Sequence, residues 1–464
     1  MSASTASLQP QLDKISEINA RMDRLPIWGL SPLVYVVLGL CYLLAFYDIA
    51  VIGAALPRVV ADMHLTTADE GLPLTANLVG YVIGAYFLGV VADRLGRRPS
   101  LAICVLILTV GALATAFSWN LASLTVFRFI TGIGIGSQIA LTATILGEFS
   151  PPARRGRYTG TAIMWAAWGN VVTYLLAIPL LSLAGSIGWR LMFGLAAAIV
   201  LTLFMFNDRF LPESPRWLAV HGKFERAEHS MQLMEERVRQ RTGKPLPPIP
   251  TDLRDESELR AEHAFATRDL FSHKYVGRLI AVFCFWFFIY VAIYGYLGFA
   301  PTLLAGLGVD LPHALTLTMV GMVGGVLGAA VQPFIVDRIE RKHGVIGGAA
   351  VFIAGFILLA ASHSAAAITA GGFLVAAGIF LIIIPAYTYT SEVFPTRARA
   401  SAMGIADGWG HIGGAVAPFV VLPVLAASGA RTAFIALIVA AAISMVIMFF
   451  ARSTTNRTLA KLAD

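Results

Sequence analysis

The sequence predicts an all-α membrane protein of twelve transmembrane helices, arranged as two six-helix bundles related by pseudo-two-fold symmetry. Three observations predict it: too much apolar content for a soluble core, a dozen apolar stretches of spanning length, and a register that repeats at one constant offset. The chain has 464 residues, 57% hydrophobic and 13% charged, with mean hydropathy +0.75, more apolar surface than a soluble fold of this size buries. Crossing a hydrocarbon layer of ~30 Å takes ~20 mostly apolar residues in a helix.

Such stretches lie at 29–56, 73–92, 100–118, 121–147, 158–181, 188–206, 277–303, 313–336, 344–362, 365–391, 401–426 and 430–451. They divide the chain into an N-terminal tail (1–28), a first bundle (29–206), a central polar segment (207–276), a second bundle (277–451) and a C-terminal tail (452–464). In the first tail Leu8, Leu12, Ile15, Ile18, Met22 and Leu25 recur at helical spacing, a pattern that fits a helix lying on the membrane surface as well as a frayed tail. In the central segment Phe224, Ala227, Met231, Met234 and Val238 share one helical face, read as a solvated linker helix over 224–240. The first thirty residues lack the basic start, apolar core and cleavage site of a signal peptide, so none is expected.

A net charge of +7 and a pI near 9.4 raise the question of a nucleic-acid partner, and the placement of the cations answers it. With both termini cytoplasmic, 30 of the 34 Lys and Arg fall on that side; Arg58, Arg190 and Arg431 fall on the other, and Arg128 lies inside a span. That is the positive-inside distribution of a multi-pass protein in a bacterial inner membrane, and no nucleic acid is called for. Cys41, Cys104 and Cys284 all fall in spans and far apart, which suggests neither a disulfide nor a metal framework.

At an offset of 244 residues Pro57 falls on Pro301, Gly80 on Gly324, Gly84 on Gly328, Gly134 on Gly378, Glu148 on Glu392, Arg155 on Arg399, Trp165 on Trp409 and Gly169 on Gly413. One offset held across five helices implies two parallel repeats about an axis along the membrane normal, with a binding site between them near the midplane.

After the second span, residues 89–98 read Gly-Val-Val-Ala-Asp-Arg-Leu-Gly-Arg-Arg. This resembles the signature loop of the major facilitator superfamily, and Asp337, Arg338, Arg341 and Lys342 repeat it in the second half, with Pro333 and Glu340 where the first copy has Gly89 and Gly96. Glu148 with Arg154 and Arg155, Glu213 and Arg216 within LPESPRWL, and Glu392 with Arg399 resemble the sugar-porter branch and its relatives that carry niacin, aromatic acids and organic ions. The resemblance implies a gating role for Asp93, Arg94, Arg97, Arg98, Glu148, Arg154, Arg155, Glu213, Arg216, Asp337, Arg338, Arg341, Glu392 and Arg399. Acids and arginines of this kind form ion pairs that hold one state shut and break in the other, which suits alternating access.

The segment Phe46 to Gly53 resembles the first helix of proton-coupled symporters, where an Asp stands at the place of Asp48. Physical chemistry points the same way: a charge inside a membrane helix costs about 2.5–3.5 kcal/mol on insertion scales and marks a functional position. Asp48 and Arg128 are matched in depth, ~10–12 Å from the outer end of their spans, so they can pair, the Asp alternating between ion-paired carboxylate and neutral acid while Arg stays charged. At the repeat offset Asp48 meets Ala292 and Arg128 meets Gly372, so this pair has no counterpart.

The same resemblance aligns Asn170, Tyr387 and His411 with substrate contacts. Trp409, Tyr290, Tyr294 and Trp165 are further candidates for an aromatic lining, with Asp407 in the same helix as His411. The seventh span reads FCFWFFIYVAIYGYLGFAP and lacks the paired glutamines of sugar porters, which favours an aromatic or carboxylated metabolite over a hexose. The expected activity is proton-coupled symport by a monomer, with protons, a small solute and the bilayer as its partners and no cofactor. Proton-driven efflux is the alternative, weakened by the absence of a Gly-Pro-Gly pattern in the fifth span; a sugar carrier or a transporter-like sensor ranks lower. No nucleophile-base set, metal spacing or phosphate loop suggests an enzyme.

Overall fold

The computed structural model describes residues 2–67, 69–183, 185–249, 272–335, 338–362, 364–394 and 399–453. After a preceding helix α1 (Ser2–Asp23), the first half comprises α2 (Pro32–Met63), α3 (Leu72–Leu95), α4 (Arg97–Ala116), α5 (Leu121–Phe149), α6 (Arg155–Leu180) and α7 (Ile187–Ala196), the last continued by a 3₁₀ stretch Ala197–Met205. Two helices, α8 (Pro215–Val220) and α9 (Phe224–Thr242), lie between the halves in sequence. The second half comprises α10 (His273–Leu297), a short α11 (Ala300–Ala305), α12 (Leu311–Ile335), α13 (Arg341–Ala361), α14 (Ala365–Val393) and α15 (Arg399–Phe449).

Eleven of these helical segments are long and apolar enough to span a bilayer. Helix α15 has 51 residues, ~75 Å at ~1.5 Å per residue, twice a membrane thickness, and it reverses at Gly429, whose φ of 80° is a left-handed value that glycine adopts without strain. It therefore supplies the eleventh and twelfth spans. Other boundaries move for physical reasons. Helix α2 runs on to Met63, seven residues past the expected end of its span, with Pro57 accommodated inside it. The seventh span breaks at Gly298 and Phe299 and restarts at α11, where Pro301 sits at the helix start and has no N–H to lose.

The repeat is legible in contacts as well as residues. A Cβ on Gly84 would lie 2.0 Å from the carbonyl oxygen of Ile133, and one on Gly328 2.6 Å from that of Ala377. On Gly169 it would lie 2.4 Å from the carbonyl of Leu43, and on Gly413 2.2 Å from that of Phe287. In each pair both glycine and neighbour are displaced by the same 244 residues. Small residues let the backbones of α3 and α5, and of α12 and α14, approach this closely.

The halves meet tightly at the end of the bundle remote from α1. There the Thr75 hydroxyl donates to Ala415 O at 2.8 Å, Gly53 faces the Leu297 carbonyl, and Gly71 lies under Pro418. The structure is thus closed on the face opposite α1, α8 and α9.

The first tail is corrected. Its described part lies on protein instead of on a membrane surface: Ile18, Met22 and Leu25 are buried where α1 packs against α8 and α9, while the side chains of Leu8 and Leu12 lie outside the described residues. The apolar face of α9 (Ala227, Met231, Met234, Val238) is likewise covered, so it is a packed element and not a solvated linker. Arg21 donates to Glu235 through Nε (3.1 Å) and Nη2 (3.0 Å) and to Glu228 through Nη1 (2.6 Å), Arg24 reaches Glu235 (2.6 Å), and Arg216 reaches Asp23 (2.5 Å). The hydrogen bond from Arg21 holds the Glu228 carboxyl below the usual range. At Glu235 burial pushes the other way, but Arg21 and Arg24 outweigh it and the net shift is also downward.

Candidate transport site

Helices α2 and α5 bring the two intramembrane charges of the first half together. Arg128 Nη1 lies 3.0 Å from Asp48 Oδ1 and 2.8 Å from Oδ2, while Nη2 donates to the backbone oxygen of residue 48 at 3.2 Å. Both side chains are 0% exposed. The guanidinium carbon sits 5.3 Å from the centre of the Phe193 ring, and the Asn77 amide of α3 donates to Arg128 O at 3.0 Å. In the second half Ala292 is fully buried at the position equivalent to Asp48, and the Tyr296 hydroxyl approaches to 3.0 Å from where a Cβ on Gly372 would stand. The equivalent place is packed with a neutral side chain and holds no ion pair.

The second half carries a different constellation. Asp407 on α15 accepts from Tyr387 (2.5 Å) and Tyr290 (3.2 Å) on Oδ1 and from Tyr81 (3.3 Å) on Oδ2. The Tyr290 and Tyr387 hydroxyls are 3.1 Å apart. One turn on, His411 is buried, its Nδ1 2.8 Å from Asp407 O and its Nε2 3.0 Å from the Tyr294 hydroxyl. A carbonyl oxygen only accepts, so Nδ1 carries a proton, which also lies toward Asp407 Oδ2 at 3.6 Å; when the ring is neutral, Nε2 accepts from Tyr294. Tyr81, contributed by α3 of the other half, stacks on His411 with ring centres 3.6 Å apart and planes at 13°. Trp286 donates to Thr390 (3.0 Å) and backs the tyrosines.

Four of the seven candidate substrate residues thus converge: Tyr290, Tyr294, Tyr387 and His411. Trp409 does not. Two residues from Asp407 and from His411 on one helix, ~200° around the axis, it turns outward, is 41% exposed, and stacks on Phe283 at 5.7 Å. Trp165 is half-buried and lies over Gly39 of α2, away from the tyrosines. Asn170 is buried with its Oδ1 unpartnered and makes no hydrogen bond to the cluster among the described residues. Sequence reasoning missed Asp407 as a participant, although the rule that singled out Asp48, a charge inside a span, applies to it equally. Tyr81 carried no such signal, being one aromatic in a helix of apolar residues; only the packing of α3 against α15 reveals it.

At the face that holds α8 and α9, Arg97 bonds Asp93 (2.9 Å) and Glu148 (3.1 Å), and at the repeat position Arg341 bonds Glu392 (3.3 Å). Arg98 pairs with Asp208 (2.5 Å). Glu213, buried, accepts from the backbone N–H groups of Arg97 (2.9 Å), Arg98 (3.2 Å) and Ser214 (2.9 Å). It therefore caps the start of α4, where Gly96 (φ 109°) has no side chain to do so, and a carboxylate is favoured at a helix N-terminus. Trp217 donates to Asp93 O at 2.9 Å. The charges expected to gate do cluster here, with Arg216 engaged by α1 instead, while Arg94, Arg154 and Arg338 are exposed. Asp337 and the side chains of Arg155 and Arg399 lie outside the described residues.

Two pseudo-symmetric bundles enclosing a polar, aromatic midplane define a membrane carrier. Residues 34–464 match the family described as "Sugar (and other) transporter", and the chain belongs to that family of the major facilitator superfamily, a multi-pass membrane transporter of small-molecule solutes. The niacin transporter NiaP of Acinetobacter baylyi is 27% identical over 465 residues, 96% of this chain and 99% of that one. A gallate transporter of Pseudomonas putida is 29% identical over 411 residues, 88% of each chain. The xylose transporter XylE from E. coli, in a partially occluded inward-open conformation, shares the fold with a TM-score of 0.72 at 22% identity, over 91% of this chain and 98% of its own.

Proposed function

We infer that the protein is a proton-coupled symporter taking up a small aromatic or carboxylated metabolite across a bacterial inner membrane, as a monomer, with α1, α8 and α9 on the cytoplasmic side. The observation that carries this reading is the Asp48–Arg128 pair, fully enclosed, bidentate, and absent from the equivalent place in the repeat. A membrane protein whose other half does without such a pair has no structural need of it. Arg128 stays charged throughout, so Asp48 is the group that takes and releases the proton as the pair opens and closes. One charge moved down ~100 mV releases ~2.3 kcal/mol, a roughly fifty-fold accumulation.

Support for the solute class comes from the tyrosine and histidine side chains around Asp407, which suit an aromatic ring, and from two relatives named for niacin and gallate. In proteoliposomes an imposed pH gradient drives uptake by the native protein. The Asp48→Asn protein keeps solute exchange at equal concentrations and loses uphill accumulation. Uphill accumulation by that variant would remove Asp48 from the coupling role.

A further inference from the structure

We propose that Asp407 selects aromatic substrates by a ring hydroxyl, and that Tyr81 occupies this subsite itself while the halves are closed. The inference rests on the aromatic class inferred above and names the chemistry within it.

Of the three phenols on Asp407, two belong to the same half as the carboxylate and share Oδ1, whereas Oδ2 is served by Tyr81 from the opposite half. That same Tyr81 ring covers the face of His411 at 3.6 Å. Any movement that draws α3 away from α15 removes both contacts of Tyr81 at once, leaving Oδ2 with no donor nearer than His411 Nδ1 at 3.6 Å, beside a bare imidazole face. A ligand restoring both contacts is a flat ring stacked on His411 with a donor at the reach of a phenol. The tyrosine side chain is such a ligand, built into the wall.

Two selectivities follow. An aromatic solute without the hydroxyl leaves Oδ2 with only His411 Nδ1, 3.6 Å away, and sites built to bond a hydroxyl discriminate strongly against the analogue lacking it. A carboxylate on the solute is repelled by Asp407, because nothing in the cluster supplies a compensating cation while His411 is neutral. The acid group therefore belongs at the far end of the ring, which favours para over ortho placement.

Binding of 4-hydroxybenzoate, 2-hydroxybenzoate and benzoate to the full-length protein, read by calorimetry or thermal shift, tests this. The expectation is 4-hydroxybenzoate tighter than benzoate by at least about tenfold, the value of one hydrogen bond to a charged group, and tighter than the ortho isomer. Asp407→Asn narrows the ratio of 4-hydroxybenzoate to benzoate to about threefold, since a neutral acceptor replaces a charged one. Tyr81→Phe, which keeps the ring and drops the competing hydroxyl, tightens both acids alike, because each displaces the same ring, and leaves the ratio near its native value. A purely structural role for Asp407 moves both ligands together and leaves the ratio alone, and one for Tyr81 weakens both acids instead of tightening them. Equal binding of the two acids by the native protein, or a ratio unmoved by Asp407→Asn, overturns the assignment of Asp407 and spares the aromatic class. Binding of none of the three overturns the aromatic class and this subsite with it.

Discussion

If the Asp48–Arg128 pair exists for coupling and not for cohesion, stability and transport should part company when it is removed in pieces. Asp48→Ala strips two charge-assisted bonds from a guanidinium that is 0% exposed and leaves it only the backbone oxygen of residue 48 and the Phe193 ring. Breaking a buried pair in this way costs ~3–5 kcal/mol, because the surviving charge stays buried. Arg128→Leu costs less, since the orphaned acid can take up a proton whereas arginine cannot lose one. The double variant Asp48→Ala/Arg128→Leu buries no charge. It should return to native stability or exceed it by ~1–4 kcal/mol, as buried pairs replaced by apolar residues do. The second half already holds together with Ala292 and Gly372 at those positions. Thermal unfolding of detergent-solubilised protein gives the stability order, and pH-gradient-driven uptake in proteoliposomes gives the coupling. The expected double variant melts with the native protein and accumulates nothing. A double variant as unstable as Asp48→Ala, or one that still concentrates solute, refutes the reasoning.

Glu235→Ala should loosen α1, because it takes a carboxylate from Arg21 and Arg24 together and leaves Arg21 only Glu228; hydrogen exchange over residues 13–23 then rises while the spans are unaffected. The pH sign is fixed by the lowered carboxyls of Glu228 and Glu235: their contribution is present above the unfolded glutamate value of ~4.3 and lost as pH falls through the lower folded values. Protection of α1 should therefore hold from pH 8 to about 5 and decline below about 4. Glu213→Ala removes the cap of α4 and should destabilise that helix start by ~1–3 kcal/mol, seen as faster exchange at the amides of residues 97 and 98; unchanged exchange there would show that the cap contributes nothing.

Much of the architecture was legible because bilayers impose it. Span length and cation placement are dictated by hydrocarbon thickness and surface potential, and both are written along the chain in single residues. The repeat was legible because its glycines are fixed by backbone contact, so Gly84 and Gly328 had to recur together. The Asp48–Arg128 pair was legible because charge in a span is rare. What stayed hidden depends on helix rotation and on long-range packing. Trp409 and His411 are neighbours in sequence yet face opposite ways, and the orientation of α15 about its axis is set by its fit against α10, through Gly413 on the Phe287 carbonyl. Ile18, Met22 and Leu25 of the first tail's stripe are buried, but periodicity says only that a face is covered, not whether lipid or α9 covers it.

The inferred proton site and the inferred substrate cluster lie on different bundles, and one helix touches both. On α3, Asn77 holds the backbone oxygen of Arg128, and one turn later Tyr81 reaches Asp407 and His411. Between them Gly80 lies against the carbonyl of Phe129, the residue next to Arg128, so α3 and α5 are in backbone contact immediately after Arg128. Packing that close leaves little room for sliding, because a shift of even part of an ångström brings backbone atoms into overlap. A displacement of Arg128 on losing its partner would therefore reach α3 as a rigid element, and α3 meets the other half both at Ala415, through Thr75, and at the carboxylate–histidine cluster, through Tyr81. The residues that break the repeat are joined by residues that obey it: Gly80 and Gly84 recur at Gly324 and Gly328 because both halves need a stiff helix pair. Only the first half uses that pair to carry a charge at one end and a tyrosine at the other.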